Sequence, residues 1–354
     1  MLRRTLLVTV IMVSLAFFIQ AQQGHPNRTK QTRNPTSRRA ARKPALPRVT
    51  TFVNDSGGRE LIVRVLDVGQ GDAAYIRNGS SRVIIDGGPS MEVFGRYLDS
   101  LDLNNSTIDV VILSHQHIDH YSGLRELFRT SRHIRVRYFF ENKDPAPAVT
   151  LAILRDSILS RMDHDSLIYR DTDDPCSDGR RMCTITMTGG AELHIMAPMP
   201  SGDKPNNRST AVKLIGPDSA SFTMWLAGDA EREEIGWFES VGYDRDPGMR
   251  VSVFKADHHG SCNGVTPRYL SFIAPEWVVA SVGASNDYGH MHTQAKNMYR
   301  RAGVPWYRTD QNGTITIRSP GIPGGSFTIE PQRWGVDLNG PGDRVSGQLD
   351  CATP

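Results

Sequence analysis

The chain has 354 residues, 22% of them charged and 38% hydrophobic, which is ordinary globular chemistry, long enough for one large domain or two modest ones. That balance excludes a disordered polymer, a collagen-like repeat and a multi-pass membrane protein. The net charge of +3 is unevenly spread: residues 1–50 hold ten Lys/Arg and no Asp/Glu, so the rest is mildly acidic, and the basic balance is no sign of a nucleic-acid-binding face on the body.

Met1–Ala21 reads as a secretory signal, with Arg3 and Arg4 ahead of the apolar run Thr5–Ile19 and Ala21 as a small residue for cleavage. The run is shorter than the roughly 20 apolar residues of a spanning helix, which leaves an uncleaved N-terminal anchor as the alternative. Either way the protein is expected to be exported, to a periplasmic or extracellular setting. Residues 22–50 carry eight Lys/Arg and four Pro with almost nothing to bury, so they are expected to form a disordered basic linker. Adhesion of that linker to an anionic envelope surface is the functional alternative.

From Glu60 onward, β-rich runs alternate with helical stretches. Leu61–Val68, Ala73–Ile76 and Arg82–Ile85 predict an antiparallel meander. Met91–Leu103 has helical spacing, Ile108–Leu113 is a buried-strand run, Asp119–Phe128 predicts a helix, Ile134–Phe140 a strand and Val149–Met162 a helix. Ala211–Ile215 and Phe222–Leu226 predict a hairpin around Gly-Pro-Asp. Helix Arg232–Val241, strand Val251–Lys255, helix Pro267–Ile273, strand Trp277–Val282 and helix Thr293–Ala302 follow. Thr314–Ile317 and Ser326–Ile329 end the series in β structure. Strands followed by mixed strand–helix units, repeated once, predict an α+β protein with two β layers and helices outside. No break separates residues 52–334, which are expected to form one domain, with residues 335–354 as a tail.

Four cysteines suit an exported protein. Cys176 and Cys183 flank a polar loop and could close a small ring, while Cys262 and Cys351 could pair or stay free. Sequence does not choose among the three connectivities. No C-x-x-C pair exists, which argues against a thiolate zinc site.

The chemistry concentrates in histidines. Seven of the eleven fall in three clusters, His115/His117/His120, His258/His259 and His290/His292, each after an apolar strand run. Ser114-His115-Gln116-His117-Ile118-Asp119-His120 leaves a strand and enters a helix. His-x-His in extended geometry places both imidazoles on one side, where they can grip a divalent ion at about 2.0–2.1 Å. Asp119 and His120, at the turn into the helix, suit a second ion. His133, His164 and His194 stand in no such setting and read as ordinary surface or half-buried residues.

This series is the HxHxDH signature of the metallo-β-lactamase superfamily. The resemblance extends further, to the hydrolase domain of ComEC-type competence proteins. Leu66-Asp67-Val68-Gly69-Gln70-Gly71-Asp72-Ala73 and Ile85-Asp86-Gly87-Gly88 resemble the opening of that domain. Asn206-Asn207-Arg208-Ser209, Leu226-Ala227-Gly228-Asp229-Ala230, Asp257-His258-His259-Gly260-Ser261, Asn286-Asp287-Tyr288-Gly289-His290 and Thr309-Asp310-Gln311-Asn312-Gly313-Thr314 follow in its order, across residues 60–318. The resemblance implies a four-layer αββα sandwich with one or two divalent ions, Zn or Mn, at the sheet edge. His115 and His117 would hold one ion, Asp119 and His120 the other, and Asp229 would bridge both. His290 is the expected last ligand, and the role of His292 stays open. Asp119, His258 and His259 are the expected catalytic residues, and Asp86 is expected to support the metal loop. Many superfamily members carry a further histidine ligand before the bridging aspartate; here Asn207 stands near that place.

Such a site supports metal-assisted hydrolysis, because a bound cation can bring the pKa of water from 15.7 to about 7. The expected function is an exported metal-dependent hydrolase, first of all a phosphodiesterase or nuclease that attacks with metal-bound hydroxide. Its substrate would be a small-molecule or polymeric phosphodiester, with nucleic acid among the candidates. The alternatives are hydrolysis of a lactone, β-lactam or thioester, and a metal-stabilised envelope binding module without turnover.

Overall fold

Aliphatic residues recur through Leu61–Val65 (β1), Ala74–Asn78 (β2) and Ser81–Ile85 (β3), and the three strands pair as an antiparallel meander. Val63 faces Ile76 and Ile76 faces Val83, all three fully buried. The computed structural model describes residues 58–334, apart from 146, 147, 203, 220 and 285. The expected signal, linker and C-terminal tail, with Cys351, lie outside the described residues.

After β3 the pairing turns parallel. Helix Met91–Ser100 (α1), capped by the Ser90 hydroxyl accepting from Val93 N, leads to Thr107–Ile112 (β4). A short helix, Ile118–Tyr121 (α2), and a 3-10 segment, Gly123–Phe128, lead to Arg135–Glu141 (β5), and helix Val149–Asp165 (α3) leads to Ile168–Asp171 (β6). The single helix expected over Asp119–Phe128 is therefore broken. Gly123 N donates to Gly88 O at 3.0 Å instead of continuing the helix, and a side chain there would run into the Gly87 carbonyl.

The second sheet repeats the plan. Met182–Thr186 (β7), Glu192–Met196 (β8), Ala211–Ile215 (β9) and Thr223–Leu226 (β10) are antiparallel neighbours. Val253–Lys255 (β11), Trp277–Ala280 (β12) and Trp306–Arg308 (β13) then add in parallel. Helices Arg232–Ser240 (α4), Pro267–Ile273 (α5) and Thr293–Arg301 (α6) make the crossovers. Finally Ile315–Ser319 (β14) and Thr328–Pro331 (β15) return to the first sheet beside β1.

The layers follow from burial. Val63, Ile76, Val110 and Phe140 of the first sheet meet Ile185, Leu193, Leu214 and Val253 of the second in one core. The outer face of the first sheet packs Ile84, Val111 and Phe139 on Phe94 and Leu98 of α1 and Leu151 and Leu154 of α3. The second sheet packs Trp225, Phe254 and Val278 on Ile235 and Phe238 of α4, Tyr269 of α5 and Tyr299 of α6. This is an αββα sandwich. Among the described residues, no helix is long and apolar enough to cross a membrane. The ring between Cys176 and Cys183 is closed by a disulfide, and Cys262 is also disulfide-bonded.

Candidate metal centre

Every histidine cluster and its supporting carboxylates lie just beyond the carboxyl end of a parallel strand, the edge where open α/β sheets bind ligands. Asp86 follows β3, His115–His120 follow β4, Asp229 follows β10, His258 and His259 follow β11, and Ser281–His292 follow β12. The two sheets bring these ends together. Gly87 N donates to His120 O (2.7 Å), Asp72 N to Asp119 O (3.2 Å) and His258 N to Gly228 O (3.1 Å), so the motif loops are stitched to one another by backbone bonds.

Three groups of ligand atoms result among the described residues, and two of them share Asp229. His115, His117 and Asp229 form one, and Asp119, His120, Asp229 and His259 the other; within each, one donor atom per residue lies within 4.8 Å of the rest. His115 Nε2 and His117 Nδ1 are 3.0 Å apart, close to the roughly 3.3 Å between two nitrogens bound to one tetrahedral ion. In the second group His120 Nε2 lies 3.3 Å from Asp229 Oδ1, and His259 Nε2 lies 3.3 Å from both Asp119 Oδ2 and Asp229 Oδ2. Asp229 belongs to both groups.

The residues present fit divalent cations. Buried His120 Nε2, His259 Nε2 and Asp229 Oδ1 make no hydrogen bond, a costly arrangement for polar atoms without a partner and the right one for ligand atoms. The opposite ring nitrogens are anchored. His120 Nδ1 donates to Asp86 Oδ2 (2.9 Å), and His259 Nδ1 donates to the Ser281 carbonyl (3.1 Å). In the neutral ring each bond keeps the proton on Nδ1 and leaves Nε2 with its lone pair, the carboxylate–histidine or carbonyl–histidine support usual around metals. Asp86 is fixed in turn by the Ser114 backbone N–H and hydroxyl, both at 2.7 Å.

The electrostatics of the second group favour ionised carboxylates. Burial alone would raise the Asp229 carboxyl, but His259, His120 and His258 outweigh it and hold it well below the usual range. Asp119 is held low in the same way, against burial, by His120 and His259. Burial opposes charge on His120 and His259, yet the surrounding aspartates raise both well above an ordinary imidazole. His115 is pushed well down by burial and by His120.

The remaining candidates take other places. His258 Nε2 is 3.9 Å from Asp229 Oδ2 and Nδ1 is 3.5 Å from Glu231 Oε1, with a fifth of its side chain exposed. His290 belongs to neither group. Its Nδ1 meets Gln70 Nε2 at 3.3 Å, its ring packs edge-on to His258 with centroids 5.2 Å apart, and burial beside His259 pushes it down to about 2. His292 serves the backbone, its Nδ1 accepting from Cys262 N and its Nε2 donating to Tyr288 O. Asn207 is buried and donates to Glu233 Oε2 at 2.8 Å. Sequence reasoning passed over Glu234, which is fully buried at the start of α4. It accepts from Ser209 N and Met199 N, and the Ser209 hydroxyl accepts from Asp229 N. It also assigned no role to Asp72 or Lys255, although a charged residue ending the strand run Val251–Lys255 was a usable signal.

Residues 66–138 match the family model for the metallo-beta-lactamase superfamily. ComE operon protein 3 of Bacillus subtilis (strain 168) is 22% identical over 289 residues, 76% of this chain and 34% of that protein. Competence protein ComA of Neisseria gonorrhoeae is 23% identical over 273 residues, 72% of this chain and 32% of that one. The chain therefore spans about a third of the length of these curated relatives. Among solved structures, the metallo-beta-lactamase fold protein YhfI from Bacillus subtilis is 11% identical with a TM-score of 0.45, covering 70% of this chain and 96% of that one. Over residues 66–138 the chain is similar to the metallo-β-lactamase superfamily. Its homologues include ComE operon protein 3 and ComA.

Proposed function

We propose that this protein is an exported, metal-dependent phosphodiester hydrolase. The observation that carries the reading is the sharing of Asp229 between two ligand groups, since paired ions bridged by one carboxylate suit displacement at a phosphoryl centre. Imidazole and carboxylate donors suit Zn or Mn. When bound, such ions supply Lewis acidity and a water ionised near neutral pH.

The chain's own residues divide the remaining work. Asp119 keeps a quarter of its side chain exposed and stays ionised, so it can accept a proton from, and orient, an attacking water. His258 reaches the group from its rim and can hold or give a proton at Nε2 on the leaving side. The Asp86 and Ser281 anchors keep His120 and His259 from turning. The N-terminal signal pattern and the Cys176–Cys183 disulfide support export, and the ComEC-type resemblance makes DNA the first polymer to try.

The test is turnover of bis-p-nitrophenyl phosphate and of nitrocefin by the full-length protein, stripped and then reloaded with Zn or Mn. Chelator-sensitive cleavage of the phosphodiester alone supports the proposal. Cleavage of nitrocefin alone would favour the lactam and lactone reading, and stoichiometric metal without turnover would favour a binding module.

A further inference from the structure

Beneath the candidate metal centre lie two charged residues with no place in either group that shares Asp229. Asp72 comes from the Gly71-Asp72-Ala73 turn between β1 and β2, and Lys255 is the last residue of β11; they are 5% and 4% exposed. Lys255 Nζ donates to Asp72 Oδ2. The other Asp72 oxygen, Oδ1, makes no hydrogen bond but stands 3.2 Å from His259 Nδ1, whose proton goes to the Ser281 carbonyl. A line of contacts thus runs from the lysine through the aspartate to the ring whose Nε2 faces Asp119 and Asp229.

This line stands beside the Ser114–Asp86–His120 support. Asp72, Asp86, Lys255 and Ser281 line one cavity of about 10 Å³, with room for no more than a single water. Asp72, Asp86 and His120 also bring ligand atoms within 4.8 Å of one another, a spacing that would suit a further cation. The Lys255 ammonium already supplies positive charge there.

Stability alone is a poor reason for the pair, because buried ion pairs roughly break even against apolar replacements. The backbone supplies a better one. His258 and His259 sit at φ 48° and 55°, in the left-handed region that non-glycine residues adopt at a cost. A ring carried on so sharp a turn needs anchoring from outside its own segment.

We infer that Lys255 and Asp72 are positioning residues for the metal centre: Lys255 is a built-in cation that fixes Asp72, and the Asp72 carboxylate beside Nδ1 joins the Ser281 carbonyl in holding the His259 ring with Nε2 toward Asp119, His120 and Asp229. The inference rests on the two-ion reading of the site.

Both can be tested separately with the full-length protein, stripped by chelator and titrated with Zn alone. Ion stoichiometry, affinity against a competing chelator and melting temperature are the readouts. Wild-type protein takes up two ions. Asp72→Asn keeps one tight ion, at His115 and His117, and binds the second about 10–100-fold more weakly, the usual loss when an outer partner of a metal ligand is removed. Each single change strands a buried charge, so Asp72→Leu/Lys255→Met is measured beside it. Its melting temperature returns toward the wild-type value, because an apolar pair can replace a buried ion pair, while the second affinity stays 10–100-fold weak. A double variant that binds both ions like wild type would overturn the inference and leave the pair a purely structural role. Wild-type protein that takes up fewer than two ions would instead overturn the two-ion reading, and the inference with it.

Discussion

His120 Nε2 stands 3.3 Å from Asp229 Oδ1, while the second oxygen of the same carboxylate stands 3.3 Å from His259 Nε2 and 3.8 Å from His115 Nε2. One side chain therefore ties together residues from β4, β10 and β11 loops. Asp229→Ala is expected to weaken both ions by more than the ~10–100-fold typical of losing an outer support, and to abolish turnover while the fold persists. Metal analysis and circular dichroism check this together; a variant that keeps two ions would refute the shared-ligand role.

The glycine before it is bound to that geometry. Gly228 has φ 54°, and a Cβ there would lie 2.7 Å from the Ser114 side chain that holds Asp86. Gly228→Ala is expected to cost about 1–3 kcal/mol in backbone strain and to loosen His120 through Asp86. Gly236, inside α4, has open space around it. Gly236→Ala is expected to stabilise by about 0.4–1 kcal/mol without altering metal uptake. Urea melts with metal analysis compare the two.

Much of this was legible from residues alone. Apolar runs located β1, β4 and β9, and the helix read over Pro267–Ile273 is α5. The dense histidine clusters marked the loops that converge. Other features were hidden for physical reasons. β7 and β8 do alternate, burying Cys183 and Ile185, and Leu193 and Ile195, but each is only five residues long and bears polar Thr, Glu and His between its buried residues, and β13 spans only Trp306–Arg308. The different places of His258 and His259, adjacent in sequence, depend on two left-handed φ values that composition does not signal. Asp72 and Lys255 are 183 residues apart, and their meeting is visible only once β11 lies across from the β1–β2 turn.

The disulfide gives a prediction about stability alone. Cys176 and Cys183 are 7 residues apart, and Cys183 lies in β7, the edge strand of the second sheet. A loop this short restricts the unfolded chain by about 2–3 kcal/mol. Replacing both cysteines by serine is expected to lower the melting temperature and leave zinc stoichiometry unchanged. Loss of metal in that variant would show that the ring reaches the site.

The response to pH carries a definite sign. His120 and His259 have folded-state values raised well above the ordinary 6.5, through Asp229 with Asp86 and Asp72. Raised histidines stabilise the metal-free protein fully below about 6.5, and that contribution is lost as pH climbs through the raised values. Asp119 and Asp229, held below 3.8, act in the opposite sense and lose their contribution only in strong acid. Metal binding takes the Nε2 lone pairs that only deprotonated rings offer, so it releases protons and strengthens as pH rises. Melting temperatures of stripped and zinc-loaded protein, measured from about pH 5 to 9, are therefore expected to diverge toward the alkaline end. The stripped protein loses stability there while the loaded protein holds it. A gap that stays constant, or widens toward acid, would mean that His120 and His259 do not bind the ion.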